Sequence, residues 1–178
     1  MNSSPEPAAG PTPGSGSRRL HRPSHTDYGG AVYGSLLAAS VVATAGSTGG
    51  FPRLQLAVML VVTGLVFWAA HVYAHLAGNR QIGQQLNRRE VRYVAAHEWS
   101  IVEASLFPAL AVVVSPLLGL GLEGATWLAL SVAVAQQVTW ALIGAVKSGA
   151  SRGQAATEGL VNLVLGLVII AAKAALHH

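Results

Sequence analysis

Residues Leu54 to Leu76 read LQLAVMLVVTGLVFWAAHVYAHL, a run without Asp, Glu, Lys or Arg. As a helix rising 1.5 Å per residue it would be about 34 Å long. The hydrocarbon core of a bilayer is about 30 Å thick, so this run predicts a membrane-spanning helix. Its two histidines, His71 and His75, lie in the last turns of that helix.

The composition of the whole chain agrees with lipid as its solvent. Of its 178 residues 52% are hydrophobic and only 10% are charged, and the mean hydropathy is +0.47. Soluble domains carry about 25% charged residues. The chain has no cysteine, which excludes disulfides, thiolate metal sites and cysteine nucleophiles. Its basic residues flank apolar runs, so we expect the lipid bilayer, and no nucleic acid, as the partner.

The apolar runs predict an all-α polytopic bundle of about five membrane-spanning helices in residues 28–178. A tail rich in Pro, Gly and Ser at residues 1–27 is predicted to be disordered and cytoplasmic, because it cannot bury enough apolar area. The first apolar run has an alternative interpretation as a cleaved signal segment, since Ala43-Thr-Ala45 resembles a cleavage site. The predicted spans are 29–45, 54–76, 97–122, 125–146 and 158–176.

The third predicted helix has a polar beginning and two prolines. Asn87 followed by Glu90 matches a helix N-cap with a capping-box variant, so this helix is expected to start outside the bilayer. Pro108 and Pro116 each remove a backbone hydrogen bond and are expected to kink it.

Basic residues predict the orientation of the bundle. With the N-terminus in the cytoplasm, all of the 11 Lys and Arg residues except Arg53 and Lys173 fall on the inner side. The positive-inside rule therefore predicts a multi-pass protein of the cytoplasmic membrane, with its N-terminus inside and its C-terminus outside. We also expect Lys173, near the outer end, to extend its ammonium group toward the interface.

Ionisable side chains gather at the predicted inner end of the second and third helices. His71 and Glu103 are both expected about 9 Å inside the membrane. Glu103 is expected to face the bundle interior, where it would form a polar pair with His71. His75 is expected at the depth of His97 and Glu98, nearer the surface. Intramembrane ionisable groups normally pair or line a wet cavity, which makes this cluster the candidate site.

Three chemistries remain open for the cluster. It is a proton or ion pathway if the imidazoles and carboxylates relay charge. It is an intramembrane metal or haem site if His71, His75 and Glu103 ligate a divalent metal, or if His75 and His97 ligate haem. It is a structural feature if the groups only pair with each other at the interface. Whether the protein is an enzyme, and with which cofactor, stays undetermined at this level.

Other polar and small residues complete the set of candidates. Asn162, Glu158 and Lys147 are expected in the same leaflet as the cluster, and Gln136 or Gln137 is expected to face Asn162 or the histidines. In the first span, Gly30-x-x-x-Gly34 forms a small-residue face for helix packing. A structural protein that assembles as a homo-oligomer through this face is the remaining alternative.

Three segments carry a resemblance to a known group of proteins: VYGSLLAASV at 32–41, VFWAAHVYAH at 66–75 and AHEWSIVEA at 96–104. Over the membrane part the chain resembles a family of small hypothetical integral membrane proteins of high-GC Gram-positive bacteria. The resemblance implies a membrane location and provides no catalytic residues.

Overall fold

The computed structural model describes residues 28–47, 53–78 and 87–176, and these form helices without a β-strand. The predicted tail, residues 1–27, lies outside the described residues. The helices are α1 (Tyr28–Ser47), α2 (Arg53–Gly78), α3 (Arg88–His97), α4 (Ser100–Val114), α5 (Leu122–Lys147) and α6 (Arg152–Leu176), with a 3₁₀ turn at Ser115–Leu118 after α4.

Four of these elements are long and apolar enough to cross a membrane: Arg53–Gly78, Ser100–Leu118, Leu122–Lys147 and Arg152–Ala175. The apolar part of α1, Tyr28–Thr44, is shorter than these four. The all-α bundle predicted from hydropathy is therefore confirmed, with the first of the five predicted spans being the shortest. Exposed Leu and Val side chains cover the outer faces of α2, α4 and α6, as lipid-facing helices require.

The span predicted at about 97–122 corresponds to the apolar segment Ser100–Leu118, but the helix predicted to run from near Arg88 to Leu122 is not continuous. The helix is interrupted by a turn at Glu98 and Trp99, where the carbonyl of Ala95 accepts a hydrogen bond from the indole of Trp68 at 2.8 Å. In a regular helix that carbonyl would accept from the backbone of Trp99. The predicted cap is confirmed, since the Asn87 side chain accepts from the backbone N–H of Arg89 at 3.0 Å.

The end of this segment follows from Pro116 and Gly119. Pro116 lies within the 3₁₀ turn, and Gly119 ends it with a left-handed backbone at φ 69°. Glycine adopts this conformation without the Cβ clash that other residues meet. Pro108 lies inside α4 and is buried, and the kink expected there stays a prediction.

Helices α1, α4 and α5 form the centre of the bundle. Helix α1 packs chiefly on α5 and α4, while α2 lies on α4 and α6 lies on α5. The core between them consists of small and branched aliphatic residues: Ala38, Ala39, Val42, Leu56, Ala57, Leu60, Ala109, Val112, Ala129, Leu130, Ala133 and Val134.

Two glycines allow the central helices to approach closely. A Cβ placed on Gly34 would lie 2.9 Å from the Cβ of Ala104 and 2.9 Å from the carbonyl oxygen of Ile101, so α1 rests directly on α4. At Gly64 of α2 the side chain of Ser105 fills the space of a Cβ. The predicted packing role of the Gly30/Gly34 face is thus realised within one chain. Both glycines are buried, so this face is covered in the monomer and is not free for a second copy.

The expectation that Lys173 reaches the interface is wrong. Lys173 is 0% exposed, and its ammonium lies 5.3 Å from the centre of the Trp127 ring. Its Nζ has no hydrogen-bond partner among the described residues. The rotation of α6 about its axis turns position 173 toward α5, so the side chain packs on Trp127.

We call this end of the bundle the lysine end, and the opposite end, which carries His71, His75 and His97, the histidine end.

Candidate functional site

The histidine end holds a polar contact between α2 and the interruption that separates α3 from α4. His75 Nδ1 lies 3.3 Å from Glu98 Oε1, which agrees with the predicted matching depth of these residues. Glu98 is buried at 6% exposure, whereas the His75 side chain is 45% exposed. Trp68 reinforces the contact through its bond to Ala95 and through an edge-to-face contact with Trp99 at 5.4 Å.

Removing His75 alone should destabilise the protein more than removing His75 together with the charge of Glu98. His75→Ala leaves the buried Glu98 carboxylate without its partner and is expected to cost about 1 to 3 kcal/mol of unfolding free energy. Adding Glu98→Gln to His75→Ala should recover part of that loss, because a neutral amide is less costly to bury. Denaturant titration in mixed micelles measures both. A double variant less stable than His75→Ala would contradict the expected recovery.

The expected pair of His71 with Glu103 is not formed. Glu103 is exposed on the outer surface of α4, and the carboxylate that turns inward is Glu98. His71 is partly buried against the ring of Tyr33, with 5.0 Å between the ring centres. The expectation that Glu103 faces the interior is therefore wrong. A residue five positions after Glu98 lies on a different face of the helix, and packing selected the Glu98 face.

The outward position of Glu103 also bears on the predicted metal site of His71, His75 and Glu103. Within the ranges that the structure describes, no group of three or more His, Asp or Glu side chains is placed to hold a metal ion. His71 and His75 share a face of α2, but Glu103 points away from the bundle and does not complete a ligand set. His75 Nδ1 lies beside Glu98, and His97 stacks on Tyr93 with ring centres 6.2 Å apart. The haem site predicted for these two histidines stays a prediction.

A pocket of about 680 Å³ opens at the histidine end, where α1, α3, α5 and α6 meet. Its ionisable lining residues are His97, Lys147 and Glu158, which come from three different helices. Tyr28 and Trp140 form an aromatic wall, with ring centres 5.9 Å apart. The Lys147 ammonium lies 5.3 Å from the centre of the Tyr28 ring. The remaining lining residues are Gly29, Val32, Ala141, Gly144, Ala145, Ser148 and Asn162.

Asn162, which lines the pocket, is part of a chain of hydrogen bonds between α5 and α6. The Gln137 amide donates to the backbone carbonyl of Asn162 at 3.0 Å and to its side-chain oxygen at 3.1 Å. The expected contact between a glutamine and Asn162 is thus confirmed for Gln137, which is 0% exposed. Asn162 donates in turn to the carbonyl of Glu158 at 2.9 Å.

Several polar atoms near the pocket are buried without a partner among the described residues. They are Trp140 Nε1, Gln137 Oε1 and both side-chain polar atoms of Gln136. Gln136 and Trp140 are four residues apart on α5, so they share the helix face that lines the pocket. Buried polar groups in folded proteins nearly always have a partner, which is water or a ligand where the protein provides none. Of these atoms, Trp140 Nε1 belongs to a residue that lines the pocket, so the pocket offers a free donor to an occupant.

Part of this pocket was predictable from the sequence, and the rest was not. The shared depth of Asn162, Glu158 and Lys147 was visible in the order of the spans. The aromatic wall of Tyr28 and Trp140 was missed, because a tryptophan in an apolar run reads as a lipid-facing residue. The available signal was Gln136 with Trp140 and Gly144 on α5, since these positions follow helical spacing and combine a polar, an aromatic and a small residue on one face.

An apolar layer separates the pocket from the lysine end. Beyond Gln137, the buried positions of α5 toward Trp127 are Val134, Ala133, Leu130 and Ala129. From Ala129 to Val134 this layer extends over about 8 Å of helix. It is packed by Leu56, Leu60, Val42 and Val112 of the neighbouring helices, so the pocket is closed toward the other end.

These features define a class of protein: a helical bundle with four helices long and apolar enough to cross a membrane, and a polar pocket open at one end. No family model matches the chain, and neither a curated protein nor a solved structure matches it.

Proposed function

We propose that this chain is an integral membrane protein that binds a small organic solute in the pocket at the histidine end. The observation that carries the proposal is the size and lining of that pocket. Its volume of about 680 Å³ lies within the range of small-molecule sites, about 300–1,000 Å³, and exceeds what a bare ion needs. The indole N–H of Trp140, which lines the pocket, is buried without a partner among the described residues.

The charges of the lining favour a zwitterionic solute. Lys147 provides a cation and Glu158 an anion, and no ion pair joins them in the described part of the chain. A carboxylate of the solute would bind the Lys147 ammonium and the free indole N–H of Trp140. An ammonium of the solute would bind Glu158, and its apolar part would contact Tyr28.

A proton or ion pathway is the second candidate, and it uses the same pocket. His97 lines the pocket and has the side chain best suited to exchange protons near neutral pH. The apolar layer would have to open for charge to pass, so the pocket serves as one half of a pathway. In liposomes His97→Ala should then reduce voltage-driven flux, while His71→Ala should leave it unchanged.

The location of the protein is part of the same proposal. The distribution of Lys and Arg supports the cytoplasmic membrane, with the N-terminus inside and the C-terminus outside. In this orientation the pocket opens to the cytoplasm. Membership of the family of small membrane proteins that the sequence resembles also stays a prediction.

Single-cysteine accessibility tests the pocket directly, because the chain has no cysteine of its own. We expect Ala141→Cys, in the pocket wall, to react with a membrane-impermeant thiol reagent added from the cytoplasmic side. Ala133→Cys, in the apolar layer, should not react, and Ser148→Cys at the mouth provides the accessible control. Amino acids or betaines should slow modification of Ala141→Cys and leave Ser148→Cys less affected.

The possible results separate the proposals. An unreactive Ala141→Cys beside a reactive Ser148→Cys would mean that no aqueous pocket exists at this depth. Reaction of Ala133→Cys as well would show that the apolar layer opens and would favour the ion pathway. Reaction of Ala141→Cys only from the outer side would reverse the proposed orientation while leaving the pocket intact.

A further inference from the structure

A second cavity lies on the outer surface of the bundle, in the groove between α2 and α4. Its volume is about 490 Å³, and every residue that lines it is apolar. The groove lies within two of the candidate membrane spans, so it faces bilayer hydrocarbon. Its lining consists of Ala57, Val58, Val61 and Val62 of α2 with Leu106, Ala109, Leu110 and Val113 of α4.

Glu103 stands at one end of this groove. It precedes Leu106 by three residues and Leu110 by seven, spacings that place all three side chains on one face of α4. Glu103 is exposed, and no side chain in the described ranges forms a hydrogen bond or an ion pair with its carboxylate. An apolar groove therefore begins at a free negative charge.

The distance from Glu103 to the far end of the groove, at Val113, matches one leaflet of a bilayer. From Glu103 to Val113 the helix rises about 15 Å. This is half of the hydrocarbon thickness of about 30 Å. Glu103 lies one turn inside the Ser100 end of its span, which brings its carboxylate close to the level of the headgroups. A molecule with a positive headgroup and an acyl chain fits both features at once.

We infer that the groove binds a phospholipid with an amine headgroup, whose ammonium pairs with Glu103 and whose acyl chain lies between α2 and α4. A second copy of the chain fits this surface less well. A two-fold interface across this face would bring two Glu103 carboxylates to the same depth near the axis, where they repel. The inference is independent of the pocket at the histidine end, which is lined by other residues on other helices.

The test uses one fluorophore and two lipids. Phe107→Cys, the single thiol in the chain, is labelled beside the groove and outside its lining, and the protein is reconstituted with brominated-chain phosphatidylethanolamine or brominated-chain phosphatidylglycerol. We expect the ethanolamine lipid to quench the label with about fivefold higher relative affinity, as an exposed ion pair implies. Glu103→Gln should reduce this preference to about one, whereas Glu90→Gln, an exposed carboxylate on α3, should retain it.

Two results would overturn the inference. Equal quenching by both lipids in the protein with Glu103 intact would mean that acyl chains fill the groove without recognition of the headgroup. Weak quenching by either lipid that decreases further as protein density rises would mean that a second copy covers the groove. Because Glu103 is exposed, Glu103→Gln is expected to fold, and its helix content and elution volume check this.

Discussion

Gly34→Leu is expected to prevent formation of the bundle, and Gly34→Ala alone should lower its unfolding free energy by about 1 to 3 kcal/mol. A Cβ at this position would lie 2.9 Å from the carbonyl oxygen of Ile101 and 3.0 Å from its Cα, and these backbone atoms cannot rotate away. Helix α1 cannot retreat either, because its other side packs on α5. Helix propensity by itself favours alanine by about 1 kcal/mol, so packing decides the sign.

Gly153→Ala is the matched control for this prediction. It lies in the first turn of α6, where the only atom near a new Cβ is Ser151 Oγ at 4.0 Å. Its stability should equal or slightly exceed that of the parent protein. Unfolding in mixed micelles with increasing dodecyl sulfate, followed by circular dichroism, measures both variants. If Gly34→Ala left the monomer stable and dissociated an oligomer, the Gly30/Gly34 face would be a subunit interface, as the sequence alone also allowed.

Lys173→Met should make the protein more stable, by about 1 to 3 kcal/mol. The ammonium of Lys173 is buried, has no hydrogen-bond partner among the described residues and contacts the face of Trp127. Glu123, which interacts with it electrostatically, is exposed at the start of α5. Methionine keeps much of the side-chain volume and removes the charge, so the cost of burying that charge disappears while the packing on Trp127 remains.

Lys147→Met provides the comparison, because Lys147 also lies 5.3 Å from an aromatic ring but is exposed to solvent. Its replacement should change the unfolding free energy by less than about 0.5 kcal/mol. Trp127→Leu should destabilise the parent more than it destabilises Lys173→Met, since only the parent loses a cation–π contact. A Lys173→Met protein less stable than the parent would show that this contact outweighs the cost of burying the charge.

The sequence alone was sufficient for the features that depend on one segment at a time. Hydropathy and length are properties of a single run of residues, so they located the apolar helices and the all-α class. The Asn87 cap is equally local, because its acceptor bonds a backbone N–H two residues later. Depth could also be counted from the helix ends, which is why the shared depth of His75 and Glu98, and a glutamine facing Asn162 or the histidines, could be predicted.

Only the tertiary structure decided which way each helix faces. It turned Glu98 inward and Glu103 outward, buried Lys173 on Trp127, and placed Gly34 against Ala104 within one chain. In a soluble helix the polar face would have shown this orientation in advance. Here apolar side chains surround most of each helix, because one side packs on other helices and the other side contacts lipid. The rotation of such a helix is set by the fit of small and large side chains between neighbours, which no single segment of sequence contains.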